Sequence, residues 1–164
     1  MLISLPDDRA TEYLGEILGR TLTAGSVILL SGELGAGKTT LVRGLGRGLG
    51  IDEAIVSPTF SLINEYDRGR LPLYHLDLYR LTSAEVANIY PEIYWEGKEV
   101  TPGITAIEWA ERLVDKPTDF LDISLFENLE ESKEIGRIAK IFLIGNIDFN
   151  LNSLSLEFKI IDPG

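Results

Sequence analysis

The sequence predicts a three-layer α/β domain with a mixed central sheet. Three observations predict it. Ser26-Val-Ile-Leu-Leu-Ser31 is a short, continuous apolar run of the kind buried on both faces of a sheet, and Ile104-Thr-Ala-Ile107 repeats the pattern. After the first run, Leu41, Leu45 and Leu49 fall on one face of a helix, so strand, glycine-rich loop and helix follow in that order. Between the two runs, Ser61–Tyr66 and Leu71–Arg80 are extended and separated by the turn-rich Asp67-Arg-Gly-Arg70. That spacing calls for an antiparallel hairpin and makes the sheet mixed.

The first element expected is a helix. Asp7 and Asp8 stand at its positive end, ahead of a stripe of Ala10, Leu14, Ile17, Leu18 and Leu22. The buried strand from Ser26 breaks at Gly32. The helix after it carries Gly44, Gly46 and Gly48, with Gly50 following, each costing about 1 kcal/mol against alanine in a helix interior. Such a density of glycine signals close packing or an early end. A short helix is expected after Thr82, and a polar loop from Pro91 to Gly103. Phe120–Phe126, Ile138–Ile144 and Leu154–Ile161 read as strands, with a charged turn from Asn128 to Gly136. The 164 residues suit one domain, with 146–164 as a C-terminal extension.

Composition narrows the chemistry. With 15 basic and 26 acidic side chains the formal charge is −11, which repels a phosphate backbone and disfavours broad, direct nucleic-acid binding. No cysteine is present, which removes disulfides, thiolate catalysis and cysteine-ligated metals. The one histidine, His75, cannot build a multi-histidine site, so oxygen ligands around a hard ion such as Mg²⁺ are what is left. The opening residues have no basic segment leading into a sustained apolar run, and no stretch reaches membrane-spanning length; a cytoplasmic protein with no membrane partner is expected.

Gly32-Glu33-Leu34-Gly35-Ala36-Gly37-Lys38-Thr39 matches the phosphate-binding P-loop: two glycines bracketing four residues, then lysine and a hydroxyl. Glycine lets successive backbone N–H groups surround phosphate oxygens while the next helix aims its N-terminus at them. The strand before and the helix after supply the required context, and a P-loop NTPase-like fold follows. Residues Glu33 to Thr40 are therefore the expected nucleotide-binding segment, with Lys38 on the β- and γ-phosphates and Thr39 as an Mg²⁺ ligand.

Turnover needs a further carboxylate to organise the metal or orient water. Glu108 closes the run Ile104–Ile107, at the strand end where open α/β sheets bind ligands. Asp77 lies in Tyr74-His-Leu-Asp-Leu-Tyr79, where alternation shares a face with His75 and Tyr79. The bland readings are a helix-initiating acid for Glu108 and a solvated strand residue for Asp77, and pattern does not divide the catalytic roles between the two. Ser57-Pro58-Thr59-Phe60 suits either a loop that senses the γ-phosphate through Thr59 or a capped strand entry. Trp109 suits stacking on a base or on a partner, or a core position, and His75 a structural one.

Gly32–Thr40, Ser57-Pro-Thr-Phe60, His75-Leu-Asp-Leu-Tyr-Arg80 and Ile107-Glu-Trp109 together resemble the bacterial TsaE (formerly YjeE) family of small P-loop ATPases, over residues 7 to about 145. The resemblance implies ATP hydrolysis coupled to the TsaB–TsaD complex in forming threonylcarbamoyladenosine on tRNA. It also implies that Lys38, Thr39, Asp77 and Glu108 form the ATP and Mg²⁺ site, with Thr59 in a switch and Trp109 near the active centre. No arginine finger is evident from the motifs, so slow hydrolysis without partners is expected.

Two other readings use the same loop. A small-molecule kinase would need a cationic lid, and Lys98 is the sole basic residue of 91–103. A nucleotide-sensing interaction protein would change shape on binding ATP, with hydrolysis incidental. A GTPase is disfavoured because Gly145-Asn-Ile-Asp148 lacks the lysine after the asparagine of a guanine-specificity motif.

Overall fold

A computed structural model describes residues 1–128 and 136–161. Its strands are β1 (Leu2–Leu5), β2 (Val27–Ser31), β3 (Ile63–Tyr66), β4 (Leu73–Asp77), β5 (Ile104–Glu108), β6 (Phe120–Glu127) and β7 (Arg137–Ile144). Its α-helices are α1 (Asp8–Thr21), α2 (Lys38–Gly48), α3 (Ser83–Asn88) and α4 (Ile93–Glu96). The strands form one sheet in the order β1-β7-β6-β2-β5-β4-β3. β6, β2, β5 and β4 run parallel, and β7, β1 and β3 complete the sheet through antiparallel pairs. The mixed sheet is as expected. Its centre is β2, from whose end the chain first departs toward β5 and β4 and later returns on the other side as β6. That is the position where α/β sheets open a crevice for ligands.

Apolar side chains cover both sheet faces, giving three layers. Ile28, Leu30, Ala106 and Ile123 pack beneath Leu14 and Leu18 of α1 and Leu41 and Leu45 of α2. Val27, Leu29, Leu76 and Ile107 pack on the other face with Val86 of α3, Tyr94 of α4 and Leu113. The glycines of α2 signal close packing, not early termination. A Cβ on Gly44 would lie 1.9 Å from the Glu12 carbonyl oxygen, and one on Gly15 of α1 would lie 2.0 Å from that of Leu41. The two helix backbones touch where side chains are missing.

Helix α1 starts as expected, with the Asp7 carboxylate accepting from the Ala10 N–H at 2.8 Å. Thr82 and Glu85 form a reciprocal capping box for α3. Four expectations need correction. Leu2–Leu5 is a strand, held by β7 across a sequence distance that no local pattern reveals. The expected loop Pro91–Gly103 contains α4, whose Tyr94 is buried against Tyr74. The hairpin strands are shorter than Ser61–Tyr66 and Leu71–Arg80 suggest. Leu62 has φ 67° and donates its N–H to the Pro58 carbonyl at 2.7 Å, which closes a turn before β3 begins.

Leu154–Ile161 is not a strand. Leu151–Leu156 is a 3-10 helix, and Leu154 and Phe158, four residues apart, fill the core beside α1. Pairing is confined to the end, where Ile160 bridges Ile3 and the Ile161 N–H donates to the Leu2 carbonyl at 2.9 Å. The extension thereby covers the free edge of β1. Most of the charged turn expected at Asn128–Gly136 lies outside the described residues; its ends meet in an Asn128 N–H bond to the Gly136 carbonyl at 3.0 Å.

Candidate functional site

The loop from β2 to α2 is shaped by glycine. Gly32, Gly35 and Gly37 adopt φ of 139°, 79° and 101°, backbone that L side chains rarely occupy. A Cβ at Gly32 would also strike the Leu125 carbonyl oxygen at 2.5 Å. Gly37 then caps α2, so the first turn of that helix opens on a cleft of about 360 Å³. Leu34, Gly35, Gly37, Lys38, Thr39, Thr40, Thr59, Asp77, Glu108 and Trp109 line it, so the structure brings most of the expected residues together. Glu33 and Ala36 do not line it. They border an adjoining apolar groove with Leu125 and Phe126, and the Ala36 methyl packs into the core.

Lys38 is buried, and its Nζ donates to the Gly32 and Glu33 carbonyls at 2.6 and 2.8 Å. The ammonium also lies 4.3 Å from the Trp109 ring centre, a cation–π contact. Burial holds its pKa below the usual lysine range, opposed by the charges of Glu108, Glu111 and Asp77. Trp109 has φ 58° and packs its ring 4.8 Å from that of Tyr79. It is a wall of the cleft that also touches the core.

Both acids are almost fully buried, Glu108 at 3% exposure and Asp77 at 6%, so neither is a solvated surface group and neither starts a helix. They sit opposite each other in the register of β4 and β5. Their partners differ. Glu108 Oε1 accepts from the Thr39 hydroxyl at 2.8 Å and pairs with His75 Nε2 at 2.8 Å. Asp77 Oδ2 accepts from the Ser57 hydroxyl at 3.1 Å, and Oδ1 from the Tyr79 N–H at 3.0 Å. Ser57 in turn shares a 2.8 Å hydrogen bond with Thr59. Glu108 thus belongs to the phosphate-loop helix, and Asp77 to the Ser57–Phe60 loop.

Two further contributors have roles that the motifs do not give. His75 is fully buried and, through Nε2, orients the Glu108 carboxylate; its Nδ1 has no partner among the described residues. A lone histidine carries no sequence signal for that role. Arg137 of β7 also lines the cleft and donates to the loop carbonyls of Gly35 and Ala36 at 3.2 and 3.3 Å. It stands 101 positions from Ala36, beyond the reach of any motif.

Among the described residues no three His, Asp or Glu side chains converge as a metal cage. The Thr39 hydroxyl and Glu108 carboxylate are nevertheless the hard oxygen donors Mg²⁺ prefers, and Mg²⁺ commonly takes its other ligands from phosphate and water. The donor set fits an ion shared with a polyphosphate.

A family model described as threonylcarbamoyl adenosine biosynthesis protein TsaE matches residues 5–135. The chain belongs to the TsaE family. A TsaE from Nostoc sp. is 61% identical over 132 residues, covering 80% of this chain and 82% of the relative. The TsaE of Bacillus subtilis is 36% identical over 126 residues, covering 76% and 77%. The crystal structure of Bacillus subtilis YdiB superposes with a TM-score of 0.70 at 29% identity, covering 88% of this chain and 86% of that one. The P-loop NTPase-like fold and the TsaE family resemblance are therefore as expected. Among the described residues no helix is long and apolar enough to cross a membrane.

Proposed function

We propose that this TsaE family member is an Mg²⁺-dependent ATPase of a single P-loop domain, supporting cytoplasmic tRNA threonylcarbamoyladenosine formation with the TsaB–TsaD complex. The observation that carries this reading is the convergence of Lys38, Thr39, Glu108 and Asp77 on one cleft at the end of β2. The left-handed glycines and the start of α2 supply backbone donors for phosphate oxygens. Lys38 exchanges the Gly32 and Glu33 carbonyls for the β- and γ-phosphates.

Thr39 and Glu108 are the residues that would hold Mg²⁺, with Asp77 across the strand pair as a further carboxylate. The ion supplies charge neutralisation at the phosphate oxygens. His75 keeps Oε1 of Glu108 in place, and Asp77 orients the attacking water when Ser57 gives up its Oδ2. Water attacks the γ-phosphorus as its bond to the ADP oxygen breaks, and the water proton passes to the phosphate or to Asp77. Trp109 and Thr59 would border the nucleotide.

The exposed apolar residues Leu34, in the cleft lining at 76% exposure, and Phe60, next in sequence to the lining Thr59 at 85%, suit a protein partner better than tRNA, as does the charge of −11. Release of radiolabelled phosphate from ATP, with and without purified TsaB–TsaD, tests the reading. Slow, magnesium-dependent release that the complex accelerates is expected. Absence of saturable nucleotide binding would overturn the ATPase reading, fast turnover without partners would overturn the coupling, and label appearing on a small metabolite would favour a kinase.

A further inference from the structure

We infer that Arg137 is a positioning residue for the phosphate loop: it governs nucleotide affinity by fixing loop peptide units, without acting on the transferring phosphoryl group. This rests on the nucleotide-binding reading of the cleft. Arg137 opens β7, next to the β6 strand that borders β2, and from there its side chain reaches the loop at the wall of the cleft. All three guanidinium nitrogens donate to backbone carbonyls: Nε to Ala36, Nη2 to Gly35 and Nη1 to Gly136. The Gly136 carbonyl also accepts from Asn128, so the guanidinium ties the base of the β6–β7 hairpin to the loop.

The consequence follows from peptide geometry. No peptide bond here is cis, so each carbonyl points away from the N–H on the other side of its peptide unit. Holding the Ala36 carbonyl on Arg137 therefore fixes the direction of the next N–H, that of Gly37, which lines the cleft and caps α2, and turns it away from the guanidinium. Gly35 and Gly37 are free to rotate because each lacks a side chain, and a cradle built from such residues loses entropy when it closes on an anion. Pinning two successive carbonyls removes that freedom before the ligand arrives. The planar fork of arginine can span adjacent carbonyls; a lysine ammonium cannot hold the same two in register.

The test compares wild type, Arg137→Ala and Arg137→Lys by calorimetric titration with Mg–ADP and Mg–ATP, and by single-turnover hydrolysis at saturating ATP. Arg137→Ala is expected to weaken ADP and ATP alike by about tenfold, with the saturated rate within about twofold of wild type. Arg137→Lys should recover little of the loss. Amide hydrogen exchange in the absence of nucleotide should rise at residues 33–38 in the alanine variant and stay unchanged in α1 and β5. A saturated rate that falls more than about tenfold with ADP affinity intact would overturn the inference by making Arg137 a catalytic residue. Unchanged affinity, or exchange raised across the whole sheet, would overturn it as well. Wild-type protein that bound neither nucleotide would overturn the proposed function itself, a result separate from any difference among the variants.

Discussion

The two walls of the cleft are built differently. The phosphate-loop wall is close-packed backbone: α1 and α2 meet through glycines, the Lys38 and Arg137 side chains hold loop carbonyls, and a Cβ at Gly32 has nowhere to go. The Ser57–Phe60 wall hangs on side-chain hydroxyls, with Ser57 linked to Asp77 and Thr59, and Phe60 exposed beneath the Arg80 guanidinium at 4.3 Å. Hydroxyl contacts to a carboxylate can be exchanged for contacts to a ligand at little cost, whereas close-packed backbone has no second arrangement. The first wall is suited to recognising phosphate, and the second to responding to it.

Gly44→Ala attacks the rigid wall at its base. Alanine favours a helix by about 1 kcal/mol. Its methyl carbon would sit 1.9 Å from the Glu12 carbonyl, and forcing the helices apart costs about 3 kcal/mol or more. The clash wins, so the urea midpoint should fall sharply; an unchanged midpoint would show that the α1–α2 contact is not close-packed. Lys38→Ala leaves the fold but removes the ammonium, and ATP affinity should drop about a hundredfold by titration. Smaller losses would mean that the backbone cradle alone suffices.

Ser57→Ala probes the other wall. It frees Asp77 Oδ2 from its loop partner, and a change of about threefold in turnover, with ADP affinity unaltered, is expected from steady-state rates. A loss as large as that of Lys38→Ala would place Ser57 on the phosphate itself and erase the contrast between the walls. Phe60→Ala should move the melting free energy by no more than about 0.5 kcal/mol, since the ring is exposed. Its effect should instead emerge when TsaB–TsaD is added, as weaker stimulation of hydrolysis.

Much of the site was legible because its parts are local. The glycines, Lys38 and Thr39 lie within one turn of chain, and the glycine spacing carries the backbone angles it needs. Glu108 could be placed at a strand end from its apolar run, and it closes β5; Asp77 was legible only as a strand residue on the face of His75, and it is the structure that ends β4 there. Their division of labour was not legible. It depends on Glu108 meeting Thr39 and His75 while Asp77 meets Ser57, contacts set by the register of β4 beside β5. The strand misread at Leu154–Ile161 has a similar origin: Leu154 and Phe158 are apolar at spacings that suit strand or helix, and the notch beside α1 selects the helical one.

By itself, then, the sequence determined the chemistry available to this protein: a phosphate-shaped loop, two carboxylates, no thiol and a single histidine, all properties of residue type and short spacing. The tertiary structure alone decided the order of the strands, the docking of Leu2–Leu5 on β7, and the meeting of Arg137 with the loop carbonyls. Those depend on which distant segments bury the most apolar surface together. No pattern within a few residues of either partner encodes that sum.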